Sequence, residues 1–89
     1  MIAGGLTPVS PNSAEVREVA LFAVDMLNMK SNAIYPHTLV HVKDSSTQVV
    51  QGVNYYLTLI IGGSPNGNKE NKVVVWKKLN GEMELMSHR

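Results

Sequence analysis

Cysteine is absent from this 89-residue sequence, and its absence excludes several kinds of chemistry at once. Disulfide bonds, cysteine metal sites and a thiol nucleophile cannot form. The absence fits a cytosolic protein, but a secreted protein whose fold needs no disulfide would also lack cysteine. The cytoplasm and secretion therefore both stay open as locations.

A large charge of one sign and long hydrophobic runs are also missing. The 8 basic and 7 acidic residues are interspersed and leave a net charge of +1, so nucleic acid and a membrane are not expected partners. No apolar run approaches about 18 residues, which predicts no transmembrane helix, and the first residues lack the pattern of a signal peptide. A hydrophobic content of 44% predicts a single small domain over residues 1–89.

The first third of the chain predicts a mobile segment followed by one amphipathic helix. Residues 1–12 are rich in Gly, Pro and Ser and should be mostly extended and mobile. Asn12 or Ser13 suits a helix N-cap, and Asn12 with Glu15 has the spacing of a capping box. Lys30 suits the helix end about four turns later. The predicted buried face consists of Val16, Val19, Ala20, Ala23, Met26 and Leu27.

The remainder of the chain has the pattern of β-strands. Residues 38–43 are rich in β-branched side chains, residues 44–46 predict a bulge or bend, and residues 47–50 resume the strand. Residues 53–61 alternate with a period of two, and residues 72–77 form a further strand. The apolar side chains of the alternating strand are Val53, Tyr55, Leu57, Leu59 and Ile61.

A second hairpin follows at Asn80-Gly81, after which Met83 and Leu85 share one face of the last strand. Each of these strands has one apolar face, and the helix has one apolar stripe. Such elements are satisfied when the sheet covers the helix with its apolar face and leaves the other face to water. The sequence therefore predicts an α+β fold, with an antiparallel sheet of four to five strands wrapped around one long helix.

The segment Gln-Val-Val-Gln-Gly at residues 48–52 lies between two strands. It predicts a hairpin tip that displays Val49 and Val50 rather than burying them, and Gly52 permits the turn. Exposed aliphatic residues at a tight turn lower solubility, which favours a surface that inserts into a partner. The alternative is an ordinary hairpin turn without a binding role.

This segment resembles the Q-x-V-x-G signature of the cystatins, protein inhibitors of papain-like cysteine proteases. Gly4-Gly5 looks like the glycine of the cystatin N-terminal trunk, and residues 21–24 with Asn28 resemble the family's helix segment. Residues 31–35 are similar to the helix exit of type 2 members. The resemblance implies the cystatin fold and reversible, competitive inhibition of papain and cathepsin L-type enzymes.

The resemblance also implies where the protease would bind. The N-terminal glycine segment and the two hairpin turns would form a wedge that blocks the active-site cleft, with no cofactor. The implied protease-binding residues are Gly4, Gly5, Gln48, Val49, Val50, Gln51, Gly52, Leu79 and Asn80. For Gly4 and Gly5 the alternative is a terminus without a role, and for Leu79 it is packing of the hairpin.

The second hairpin departs from the family pattern. Cystatins usually carry Pro-Trp at its tip, whereas residues 78–81 read Lys-Leu-Asn-Gly. Trp76 lies earlier and is expected on the sheet face opposite Val73 and Val75. The departure leaves a second interpretation open, in which the chain is a cystatin-fold binding or structural module with weak or lost protease inhibition.

Two further expectations concern partners. Ser31-Asn32 matches the Ser-Asn of type 2 cystatins that also inhibit legumain, although Ala33 follows where the family has Asp; the alternative for Asn32 is a helix C-cap. We also expect the monomer to be the active form and a domain-swapped dimer to be inactive. The reason is that β-branched Val49 and Val50 favour extended geometry over a turn.

Enzymatic activity is not expected. His37, His41 and His88 lack the spacing of a helical metal site, and Ser45-Ser46 has no evident base beside it. The acidic residues are scattered like surface charges. The sequence therefore predicts no catalytic residue, no metal site and no cofactor.

Overall fold

The computed structural model describes residues 5–31 and 34–89 and consists of one helix and a five-stranded antiparallel sheet. The elements are β1 (Thr7–Pro8), α1 (Ala14–Lys30), β2 (Thr38–Val49), β3 (Val53–Gly62), β4 (Lys69–Lys77) and β5 (Met83–His88). The strands lie in the sheet in their chain order, and α1 packs against β2, β3, β4 and β5. The predicted α+β fold is confirmed. Within the described residues, no helix is long and apolar enough to span a membrane.

The helix is capped by Ser13. The hydroxyl of Ser13 accepts a hydrogen bond from the backbone N–H of Val16 at 3.2 Å. Since Val16 holds the third helical position, Glu15 cannot complete a capping box, and the predicted pairing of Asn12 with Glu15 is wrong. Glu15 lies instead in the first turn, where its negative charge interacts favourably with the helix dipole.

The core forms between the helix and the inner face of the sheet. The alternation predicted for β3 is confirmed, because Tyr55, Leu57, Leu59 and Ile61 are all buried. On α1 the predicted face is correct except that Val24 is buried and Met26 is only half-buried. The buried helix residues are Val16, Val19, Ala20, Ala23, Val24 and Leu27, and Val73 and Val75 of β4 complete the contact. Burial of each large side chain stabilises the fold by about 1.5–3 kcal/mol.

Strand β2 is longer than predicted, and its irregularities lie before the predicted interruption. It continues through residues 44–46, where we expected an interruption. Leu39 pairs with Ile61 and His41 pairs with Ile60, so that one extra residue is accommodated between them. A second shift follows Val42. The bulges bend the strand around the helix, whereas the polar residues 44–46 stay within the ladder.

The N-terminal segment is attached to the sheet by residues 7–9. Thr7 pairs with Thr47, and the backbone N–H of Val9 donates to the carbonyl of Ser45 at 3.1 Å. The buried Ser45 hydroxyl donates in turn to the carbonyl of Val9 at 2.7 Å. The prediction of a mobile segment is therefore wrong for these residues. The reason is that a buried serine supplies a hydrogen bond that composition does not reveal.

Candidate functional site

Strand register brings the two predicted hairpin turns, and the chain that leads into β1, to one end of the sheet. Thr7 is antiparallel to Thr47, so the chain before Thr7 runs towards the turn between β2 and β3. Val53 pairs with Lys77, so the turn that follows β4 lies beside the same turn. We call the turn at residues 50–52 the first turn and the turn at residues 78–82 the second turn.

The two valines at the first turn differ in exposure. Val49 ends β2 with 71% of its surface exposed, whereas Val50 is half-buried. Gln51 and Gly52 both adopt positive φ angles, 25° and 110°. The expectation that both valines are displayed therefore holds for Val49 and only in part for Val50.

Gly52 is required by its surroundings as well as by its φ angle. A Cβ at this position would collide with the carbonyl oxygen of Lys77 and would lie 3.1 Å from Nε1 of Trp76. Residues with a side chain are disfavoured at this φ angle and in this space. The two turns are thus in direct contact through Gly52.

Two side chains on the outer face of the sheet, which α1 does not cover, make hydrogen bonds to the first turn and to the end of β2 before it. Nε1 of Trp76 donates a hydrogen bond to the carbonyl of Gln51 at 3.1 Å. The hydroxyl of Tyr56 donates to Oε1 of Gln48, also at 3.1 Å. Sequence reasoning placed Trp76 correctly on the face opposite Val73 but did not connect it with the first turn. The available signal is that a half-buried indole N–H needs an acceptor.

The second turn exposes its aliphatic residue and uses its polar residue internally. Leu79 is 84% exposed. The backbone N–H of Gly81 donates to the carbonyl of Lys78 at 2.9 Å, and Gly81 has a φ angle of 92°. The turn is therefore centred on Leu79 and Asn80 rather than on Asn80-Gly81. The amide of Asn80 accepts from the backbone N–H of Glu82 and donates to its carboxylate, so it is engaged within the turn.

The N-terminal glycines differ in what the structure describes. Gly4 lies outside the described residues. Gly5 is exposed, and no described atom lies within 4 Å of the position that a Cβ would take. Any requirement for a small residue at Gly5 would therefore come from a bound partner and not from this fold.

The helix exit is anchored away from the first turn. The side-chain amide of Asn28 accepts from the backbone N–H of His37 at 2.7 Å and donates to its carbonyl at 3.0 Å. Ser31, in extended conformation, is the C-cap of α1. Asn32 itself lies outside the described residues. Beyond it, Ile34 is 88% exposed and lines a shallow depression with Gly62, at the far end of β3.

Among residues 5–31 and 34–89, no group of three His, Cys, Asp or Glu side chains could hold a metal ion. Lys43 and Glu70 form an exposed ion pair at 2.9 Å, which lowers the pKa of Glu70 through its hydrogen bond with Lys43. Burial, followed by the neighbouring Glu15 carboxylate, raises the pKa of Tyr55 well above its ordinary value.

The chain combines a single sheet on one helix with two neighbouring turns at one end of the sheet, and a known protein family matches it. The model of the cystatin domain matches residues 4–88. The chain is 35% identical over 79 residues to the cystatin of Cryptophis nigrescens, an alignment that covers 89% of this chain and 56% of that protein. The chain belongs to the cystatin family. It spans about half the length of the curated relatives that it matches.

Solved structures agree on the fold. The salivary cystatin from the soft tick Ornithodoros moubata superposes with a TM-score of 0.84 and 26% identity, covering 99% of this chain and 97% of that chain. Dimeric human cystatin F superposes with a TM-score of 0.87 at 16% identity, covering 100% and 87%. The second likeness concerns the fold alone.

Proposed function

We propose that the chain is a reversible, competitive inhibitor of papain-like cysteine proteases, including papain and cathepsin L-type enzymes. The observation that supports this function best is the pair of exposed aliphatic side chains, Val49 and Leu79, on two contacting turns. These turns and the N-terminal segment at Gly4 and Gly5 form a wedge that enters the active-site cleft. Membership of the cystatin family supports the same role, that of an inhibitor and not an enzyme.

The wedge inhibits by exclusion and not by chemistry. It fills the cleft above the reactive thiolate and presents no peptide bond for attack. Its turns are held by hydrogen bonds before binding, so little ordering entropy is lost in the complex. An interface of ordinary size, on the order of 1,600 Å² in total, suffices for tight binding.

Titration of papain with the purified chain tests this proposal. Stoichiometric, reversible loss of hydrolysis with competitive kinetics is the expected result. Absence of inhibition at high micromolar concentration would favour the second interpretation, a cystatin-fold binding or structural module. Leu79 in place of the family's Trp is the feature that motivates this alternative.

Replacing Leu79 by Trp should tighten binding to papain. Trp offers more apolar area than Leu to the wall of the cleft, and one to a few kcal/mol is the expected scale of the gain. Leu79 is exposed, so the larger ring requires no repacking of the free protein. The inhibition constants of Leu79→Trp and the parent should be compared in the same assay. An unchanged or higher constant would count against a role of the second turn.

A matched variant separates the ring from the turn geometry. Replacing Lys78-Leu79 by Pro-Trp restores the family's dipeptide but removes the Lys78 N–H, which donates to the carbonyl of Glu82 at 2.7 Å. It also removes the Lys78 ammonium, 5.3 Å above the Trp76 ring. We therefore expect the single replacement to bind papain at least as tightly as the double one.

We also propose weak inhibition of legumain through Asn32, independent of the papain site. The neighbouring Ile34 and Tyr35 are exposed. An asparagine-specific protease would take the Asn32 side chain into its specificity pocket. Ala33 lacks the carboxylate of the family motif, which is why the inhibition should be weak.

Replacing Asn32 by Lys, assayed against both enzymes, tests this second site. Loss of legumain inhibition with papain inhibition unchanged is the expected result. Replacing Ala33 by Asp is the complementary variant and should strengthen legumain inhibition. A parent protein that does not inhibit legumain would end the proposal.

We propose finally that the monomer is the active form. Opening the first turn would let two chains exchange the unit β1–α1–β2, and the exchange would consume the inhibitory tip. The positive φ angle of Gln51 supports this proposal, because a strained turn favours opening.

A further inference from the structure

Trp76, on the outer face of the sheet, donates a hydrogen bond to the first turn although it is not among the predicted protease-binding residues. Trp76 is the single tryptophan of the chain. It lies on β4, on the sheet face opposite that of the buried Val75. Its indole N–H does not point to a neighbour on its own strand but to the carbonyl of Gln51, at 3.1 Å. A carbonyl within a three-residue turn has few acceptable donors nearby, so this bond bears directly on the geometry of the turn.

The indole is itself held in place. The ammonium of Lys78 lies 5.3 Å from the centre of the Trp76 ring and 3.5 Å from the carboxylate of Glu84. Trp76 and Glu84 are paired residues of β4 and β5. The cation therefore bridges the ring and the adjacent strand, and it restrains the ring on the side next to the second turn.

The turn needs such a restraint. Gln51 has a φ angle of 25°, a region that costs a residue with a side chain about 1–2 kcal/mol. Gly52 packs so closely on Lys77 that no side chain fits. The indole bond to the carbonyl of Gln51 stabilises this arrangement from the β4 side.

We propose that Trp76 is a positioning residue for the inhibitory wedge: its indole N–H fixes the first turn in the conformation that presents Val49. This inference rests on the proposed protease inhibition and extends it. Trp76 contributes to affinity without touching the protease, because it reduces the ordering that binding would otherwise require. The chain thus uses its tryptophan behind the tip, whereas Leu79 occupies the tip of the second turn.

The experiment removes the N–H while it keeps an aromatic side chain. Trp76→Phe and a chain with benzothienylalanine at position 76, which has sulfur in place of the N–H, should both fold as the parent does. Loss of one neutral hydrogen bond should raise the papain inhibition constant by about three- to tenfold. A chain with 5-fluorotryptophan at position 76 keeps the N–H and should retain the parent's inhibition constant.

A spectroscopic readout distinguishes positioning from general packing. In the parent, the one indole N–H signal should exchange slowly with deuterated water, and the backbone amides of Gln51 and Gly52 should be ordered. Both variants without the N–H should show increased motion at these two amides, with the core amides of β3 unchanged. Tyr56→Phe, which removes the other outer-face donor, should leave the two amides ordered, since Gln48 lies in β2 outside the turn and is paired with Asn54 of β3.

The outcomes distinguish positioning by Trp76 from the proposed protease inhibition. If the variants inhibit as tightly as the parent and their turn amides stay ordered, Trp76 does not position the turn, and the proposed inhibition is untouched. If the variants have a mobile turn but an unchanged inhibition constant, the contribution to affinity is refuted. If the parent does not inhibit papain, the proposed function fails, and an ordered turn in both variants would refute positioning as well.

Discussion

Replacing Val49 and Val50 together by Asp should abolish papain inhibition while the fold remains intact. Val49 is exposed at the end of β2, and Val50 is half-buried beside Trp76, so neither belongs to the core. In the complex, two carboxylates would lose their hydration inside an apolar cleft without partners. The inhibition constant should rise by roughly a thousandfold or more.

The controls for this variant follow from the burial of the two valines. Val49→Asp alone should account for most of the loss, because Val49 is the more exposed side chain. Ile34→Asp introduces the same charge at a residue that is 88% exposed and lies by Gly62 at the other end of β3. It should inhibit papain as the parent does. Equal inhibition by the double variant and the parent would refute a wedge built on the first turn.

The period-two alternation of apolar residues is the sequence feature that predicts most about this fold. The alternation from Val53 to Ile61 predicts the inner face of β3, where Val53 is partly buried and the four apolar residues that alternate after it are buried in the core. The pairing of this strand with its neighbours then brings the two turns together. Periodicity and hairpin connections therefore place the two turns side by side, whereas their role in protease binding is implied only by the resemblance to the cystatins.

The features that the pattern missed depend on contacts distant in sequence. Thr7–Pro8 is too short to have a period, and its attachment depends on the buried hydroxyl of Ser45. Trp76 alternates correctly, but only the register between β3 and β4 shows that its indole reaches the first turn. Asn80-Gly81 predicts a hairpin, yet a turn centred one residue earlier is selected, in which Gly81 supplies the positive φ angle.

The backbone strain that favours domain swapping lies at a different residue from the one predicted. The sequence predicts it at Val49 and Val50, because β-branched residues prefer extended geometry. Val49 already lies within β2, and the unfavourable φ angle belongs to Gln51. The hinge residue to change is therefore Gln51, where glycine would relieve the strain in the closed turn.

Mild heating of the concentrated protein should produce a dimer without papain inhibition, and Gln51→Gly should produce less of it. Strain of about 1 kcal/mol at Gln51 corresponds to about fivefold per chain in the exchange equilibrium. Trp76→Phe should have the opposite effect, because the indole bond to the carbonyl of Gln51 exists only while the turn is closed. Size-exclusion chromatography of the three proteins after identical heating, with a papain titration of each fraction, measures the dimer fraction and its inhibitory activity.

A dimer with full inhibitory activity would show that the first turn survives in it, and exchange at this turn would then be wrong. If the dimer is inactive but Gln51→Gly and Trp76→Phe leave its fraction unchanged, the exchange occurs without control by the φ angle of Gln51 or by the indole.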